Sequence, residues 1–217
     1  REFIGKDIII ACYQGLKLSQ GLAAILRHHN VRAQVLEGGF VSWYQADLPL
    51  VSLQHMPTRN ANAQTVWVTH ARPKIDRIAC PWLIRRFIDP SAMILFVGKT
   101  QVQNVAERFN ATPFDDVGGF WSHKGALCSF DKFLENFALV WSPLQTLGEI
   151  VRAADTNTLE NNPQAAGLLA ISLGYSRMIR DDLQQMHAMF SVYDALYRWC
   201  KDARDETHDW PQPDQVS

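Results

Sequence analysis

Arg72-Pro73-Lys74-Ile75-Asp76-Arg77-Ile78-Ala79-Cys80-Pro81-Trp82-Leu83-Ile84-Arg85-Arg86-Phe87-Ile88-Asp89-Pro90 is where a reading of this chain takes hold. Apolar residues recur at helical spacing from Ile75 to Ile88, and Asp89-Pro90 closes the run, so the spacing predicts a helix over 75–88. Asp76 reads as its N-cap, where a carboxylate satisfies free backbone donors. Asp76 and Cys80, four residues apart, fall on one helical face. Pro81 has no N–H to give and is expected to bend the helix or move its start.

Working outward, Thr65-Val66-Trp67-Val68-Thr69 before this helix is a strand-forming run. After it, 92–97 makes a second strand closed by Gly98, and 102–109 a second helix. Two strand-then-helix units therefore open the region, and helical spacing dominates from Phe130 onward. Leu183, Met186, Met189, Phe190, Tyr193, Leu196, Tyr197 and Cys200 form a broad apolar stripe on a helix expected over 176–200. That stripe should bury against earlier helices or another copy of the chain, with His187 partly buried beside it. Residues 51–64 are polar and aperiodic, which suits a linker. Residues 206–217, with Pro211 and Pro213, suit a solvated tail.

The N-terminal stretch reads differently. Asp7-Ile8-Ile9-Ile10-Ala11 suggests a buried strand, Val31 to Leu36 a second, and Gln20 to His29 a helix between them. Cys12 sits where the first strand ends, followed by Gly15, whose backbone freedom suits a tight loop. Loop amides and the positive end of the helix macrodipole would depress the thiol pKa there and make a nucleophile. A small buried core cysteine fits the same position, since free cysteine is among the most buried residue types.

Composition narrows the classes. With 47% hydrophobic and 20% charged residues among 217, the chain is globular rather than disordered. A formal net charge of −1 gives no electrostatic footprint for nucleic acid or an anionic membrane surface, and no helix-turn-helix is legible. Four scattered cysteines lack metal-finger spacing and suit reduced thiols in the cytoplasm. A homo-oligomer is compatible with the apolar stripe.

Two constellations carry candidate chemistry. Arg72, Lys74 and Arg77 crowd the entrance of the 75–88 helix, where guanidinium groups and a helix N-terminus could seat a tetrahedral oxyanion such as chromate or sulfate. They equally suit a capped helix with a salt-bridged flank. His123, Cys128, Asp131 and Asp155 mix imidazole, thiolate and carboxylate, a donor set able to hold a divalent metal. The alternatives are a core thiol at Cys128, a helix cap at Asp131 and a turn at Asp155-Thr156-Asn157.

Two family resemblances follow. The Cys12 loop, with Gly15, Lys17, Gly38-Gly39 and Trp43 in this order, resembles the C-terminal half of a rhodanese domain. The resemblance implies a sulfurtransferase in which Cys12 carries a persulfide, Gly15 shapes the loop and Lys17 takes its last position, with a small sulfur donor as partner. Only eleven residues precede Cys12, so the expectation is part of such a domain, or a half completed by another chain. The 72–90 stretch, together with Trp67-Val68-Thr69, Ala111-Thr112-Pro113-Phe114-Asp115, Ser122-His123-Lys124-Gly125-Ala126-Leu127-Cys128-Ser129-Phe130-Asp131, Ile150 to Thr156, Ala165 to Gly174 and Tyr193 to Tyr197, closely resembles the C-terminal domain of the chromate-resistance protein family ChrB. It implies a role in chromate response.

The expected architecture is an α/β rhodanese-like partial domain (1–50), a linker (51–64), an α+β chromate-resistance-type domain with a mostly helical C-terminal half (65–205), and a tail (206–217). The expected function is chromate or sulfur-oxyanion stress response, sulfur being handled by Cys12 and an oxyanion or metal bound or sensed by the larger domain. The alternative is a non-enzymatic chromate-responsive sensor or regulatory module with a degenerate rhodanese half.

Overall fold

A computed structural model describes residues 3 and 5–206, and the chain divides into two units, Arg1–Leu50 and Val51–Ser217. Most of the expected tail, from residue 207 on, lies outside the described residues.

In the first unit β1 (Asp7–Ile10) pairs in parallel with β2 (Arg32–Val35), Asp7 opposite Arg32 and Ile10 opposite Val35. A parallel pair needs a crossover, and α1 (Lys17–His28) supplies it. The helix starts three residues earlier than its apolar spacing suggests. The strand expected to be buried is not: Ile9 is 71% exposed, because a two-stranded sheet here leaves one face of β1 open. After β2 the chain enters α2 (Gly39–Gln45), whose Phe40 and Val41 N–H groups donate to the Cys12 and Tyr13 carbonyls at 3.0 Å each. This clamp requires glycine. A Cβ on Gly15 would meet Gly39 N and Leu36 O at 2.7 Å, and one on Gly39 would meet Cys12 O at 2.2 Å.

The second unit is built on β3 (Val66–His70), flanked in parallel by β4 (Met93–Val97) and β5 (Thr112–Pro113) in the order β4-β3-β5. Both faces of β3 are covered, as a central parallel strand requires. Val66 and Val68 pack on Val102 and Ala106 of α4 (Val102–Phe109). Trp67 points the other way into the main core with Phe114, Trp121, Phe133 and Phe137. Helices α5 (Ser129–Asn136), α6 (Ser142–Asp155), α7 (Pro163–Met178) and α8 (Asp182–Asp202) complete that core.

Between β3 and β4 the chain forms α3 (Ile75–Leu83) and then a wider π-turn, Ile84–Ile88. Pro81 does not move the start of α3. The helix passes through it and widens beyond, with Asp89 N–H donating five residues back to Ile84 O at 2.8 Å. Asp89 then closes the connection: its carboxylate accepts Thr65 N–H at 2.7 Å, the Thr65 hydroxyl at 2.8 Å, and Ser91 N–H and hydroxyl at 3.1 and 2.8 Å. Burial alone would push this carboxyl up, but the hydrogen bonds from Thr65 and Ser91 outweigh it and hold it at about 2.

Two expectations for the helical half change. The helix expected over 176–200 is two helices, because Asp181 caps a fresh start by accepting Gln184 N–H at 2.8 Å. His187 is exposed rather than partly buried, and its Nε2 faces an Arg85 guanidinium N–H at 2.9 Å. Most of the apolar stripe is packed, with Met186, Met189, Phe190, Tyr193 and Cys200 buried, while Leu183 at its start is exposed. The segment 51–64 is held on this unit, since Ser52 N–H donates to Phe137 O at 2.9 Å and Met56 packs on the core.

Candidate functional site

Ligand sites in open parallel sheets form beyond the carboxyl ends of the strands, and side chains from four separated segments gather at that edge here. Asp76 comes from the first turn of α3, after β3. Asp115 follows β5 by two residues, with its backbone left-handed at φ +48° and its N–H donating to Trp121 O at 2.9 Å. His123 comes from the loop before α5, and Asp155 is the last residue of α6.

His123 Nε2 lies 3.5 Å from Asp76 Oδ2, 3.3 Å from Asp115 Oδ1 and 3.1 Å from Asp155 Oδ2. Asp76, His123 and Asp155 each offer one ligand atom within 4.8 Å of the others. Neighbouring ligands on a cation with bonds of about 2.1 Å stand roughly 3.0 to 3.4 Å apart, close to the 3.1 to 3.5 Å between His123 Nε2 and the three carboxylate oxygens. Access grades across the site: Asp76 is 1% exposed at the floor, and the His123 side chain is 40% exposed at the mouth.

The floor is electrostatically costly without a cation. Burial, then the neighbouring Asp155 and Asp115 charges, push the Asp76 carboxyl well above the usual range. Burial and Asp115 likewise raise Asp155, with His123 and Arg77 acting in the opposite sense. Asp76 Oδ2 accepts Ser129 N–H at 2.6 Å, but buried Oδ1 has no hydrogen-bond partner. A buried carboxylate oxygen left unpaired is rare enough to require an explanation. With all three carboxylates ionised beside one guanidinium, Arg77 Nε at 3.2 Å from Asp115 Oδ2, and the imidazole neutral, two negative charges would remain for one divalent cation to balance.

Two of the four expected metal donors, His123 and Asp155, thus come together, and two are engaged elsewhere. Asp131 gives one oxygen to Cys128 N–H and the other to the Arg152 guanidinium, each at 2.9 Å, as part of the α5 cap. The Cys128 thiol is fully buried, and burial followed by the Asp76 charge pushes its pKa far up, so it is held as S–H. In their place stand Asp76, which is not the N-cap of α3, and Asp115. The signal available for Asp76 was a carboxylate on the apolar face of its helix, in line with Cys80 and Leu83. Asp115 carried the signal of an acidic residue just past a short strand.

Of the three basic residues expected to share an oxyanion, Arg72 and Arg77 are directed to different partners. Arg72 closes the end of α7, its guanidinium donating to the Ser176, Ile179 and Arg180 carbonyls. Lys74 immediately precedes α3 and is exposed. Arg77 donates to Ala71 O at 3.3 Å as well as pairing with Asp115.

In the first unit Cys12 is half-buried, with Sγ 3.2 Å from Ser19 Oγ. A hydrogen bond from the Ser19 hydroxyl, then the N–H groups of Ser19, Gln14 and Leu16, lower its pKa to about 7 against the effect of desolvation. Ser19 Oγ also lies 3.1 Å from Leu16 O, so its single hydrogen turns to sulfur when the thiolate forms. Gly15 lies at the tight approach to Gly39, and Lys17 is the exposed first residue of α1.

Comparison with known proteins bears on the second unit. Residues 67–200 match the family described as ChrB, C-terminal domain. The chain is 32% identical over 144 residues to Protein ChrB of Cupriavidus metallidurans, an alignment covering 65% of this chain and 42% of that protein. The chain therefore spans less than half the length of that relative. No solved structure matches, and no helix among the described residues is long and apolar enough to cross a membrane. On the match over 67–200, which takes in all four residues of the carboxylate–histidine cluster, this chain belongs to the ChrB C-terminal domain family.

Proposed function

We propose that the second unit is a divalent-cation-binding module of a chromate-response protein, with Asp76, His123 and Asp155 as ligands and Asp115 beside them. The observation that carries this reading is the convergence of one ligand atom each from Asp76, His123 and Asp155 within 4.8 Å, on a buried carboxylate whose Oδ1 has no hydrogen-bond partner. Two carboxylate oxygens and one imidazole nitrogen suit manganese, iron or zinc better than a thiophilic ion, since the nearby Cys80 and Cys128 are buried and held protonated. With Arg72 and Arg77 engaged, the cation is favoured over a free oxyanion as the ligand of this unit. All four cysteines are free, in keeping with a reducing compartment such as the cytoplasm.

Protein purified without added metal should contain close to one equivalent by elemental analysis, and stripping it should lower Tm. Restoring Mn2+ or Zn2+ at a hundred times Kd should add about 2.7 kcal/mol of stability by mass action. No bound metal, and no stabilisation by manganese, iron, zinc or nickel, would leave a cluster held together by shared protons.

A second reading concerns the first unit, where the lowered pKa of Cys12 supports a rhodanese-like sulfur carrier. Its thiolate would attack the outer sulfur of thiosulfate, forming the persulfide S–S bond, while the S–S bond of the donor breaks and sulfite leaves with the electron pair. Alkylation of Cys12 should rise with a midpoint near pH 7 and outrun Cys200, whose thiol burial pushes up to about 11. Ser19→Ala should move that midpoint upward. Equal labelling of Cys12 and Cys200 would end the nucleophile assignment.

A further inference from the structure

We infer that Ser129 is the positioning residue of the cation site, fixing two of its carboxylates at once; this rests on the cation reading above. Ser129 is fully buried and opens α5. Its N–H is among those with no partner inside the helix, and it donates to Asp76 Oδ2 at 2.6 Å. Its hydroxyl donates to Asp115 Oδ1 at 2.9 Å. These are the two oxygens that face His123 Nε2, at 3.5 and 3.3 Å. One residue therefore spends both its hydrogens on two acidic residues that reach the site from different elements, α3 and the end of β5.

The arrangement does three things. Each carboxylate loses its freedom to rotate, while its remaining lone pairs stay available toward the centre of the site. Donors aimed at both oxygens favour the ionised form that a cation needs. The positive end of α5 adds to this at Asp76. The neighbouring amide does not compete, because Cys128 N–H is taken by Asp131. Supporting hydrogen bonds of this kind typically change metal affinity by about 10- to 100-fold.

The test is a Mn2+ titration of the full chain followed by electron paramagnetic resonance, which counts free ion and reports the symmetry of bound ion. Ser129→Ala keeps the N–H and loses the hydroxyl, so Kd for Mn2+ should rise about 10-fold or more, with an altered bound spectrum. The metal-free Tm should move little. Ser129→Thr, which keeps the hydroxyl, should restore both affinity and spectrum. If the alanine variant does not fold, Ser129→Cys makes the same comparison with a weak S–H donor. Wild-type affinity and spectrum in Ser129→Ala would overturn this inference alone, as would a drop in metal-free Tm with no change in Mn2+ binding. A wild-type chain that binds no Mn2+ would overturn the cation reading and this inference with it.

Discussion

Asp76→Asn should abolish the proposed divalent-cation binding, raising Kd by about a hundredfold or more, while the metal-free protein should keep or gain stability. The first half follows from what the substitution takes away: the most buried ligand loses its charge, a larger change than the 10- to 100-fold typical of supporting residues. The second half follows from what it leaves. The side-chain carbonyl of the introduced asparagine can still accept Ser129 N–H, so the start of α5 keeps its partner. The repulsion from Asp155 and Asp115, which with burial makes an anion at this position costly, disappears. Paired Mn2+ titrations and thermal melts of the two proteins measure both halves. Undiminished affinity would remove Asp76 from the site, and a large fall in metal-free Tm would make its role structural.

That opposition between binding and stability is what a site looks like when it is assembled at some expense to the fold. Several such costs meet at this site: an unpartnered buried oxygen on Asp76, left-handed backbone at Asp115, and thiols at Cys80 and Cys128 pushed up by burial and by Asp76. A cation at the centre would relieve the charge-dependent part of them together. Packing alone would favour an apolar residue at position 76.

The sequence made β3 legible because a central parallel strand must be apolar on both faces, and Val66-Trp67-Val68 is. The helix after it was legible from spacing, including its end at Asp89, although the widening beyond Pro81 was not. Ile9 misled because a run of isoleucine signals a buried strand, while its burial depends on how many neighbours the strand has. The candidate site was half legible. His123 and Asp155 stood out as ligand types, but the four contributing residues span positions 76 to 155 with no fixed spacing, so only tertiary structure selects among nearby acids. Asp131 lies just eight residues from His123 and is drawn away by Arg152, 21 positions further on. Asp76 resembled a helix cap, and it does cap a helix: α5, through Ser129, rather than its own.

Trp67→Ala should cost about 3 to 5 kcal/mol, the range for removing a large buried aromatic side chain. Trp67 is fully buried in β3, with ring centroids 5.2 Å from Phe133, 5.6 Å from Trp121, 6.4 Å from Phe114 and 6.5 Å from Phe137. Its indole N–H donates to Thr65 Oγ1 at 2.9 Å, linking the ring to the group that holds Asp89. Few of these rings can collapse into the space, because Trp121 and Phe137 are already stacked, with centroids 5.1 Å apart and planes at 12°. For a unit of this size the loss should lower Tm by about 6 to 20 °C. It should also reach the cation site without touching it: Phe114 directly precedes Asp115, and Trp121 stands two residues before His123 while its carbonyl accepts Asp115 N–H. Cation affinity should therefore fall along with stability in Trp67→Ala, whereas Asp76→Asn separates the two. Urea unfolding with and without Mn2+ measures both quantities. A loss below about 1 kcal/mol, far under the range for removing a large buried aromatic side chain, would mean that the aromatic cluster refills the space and does not support the ligand loops.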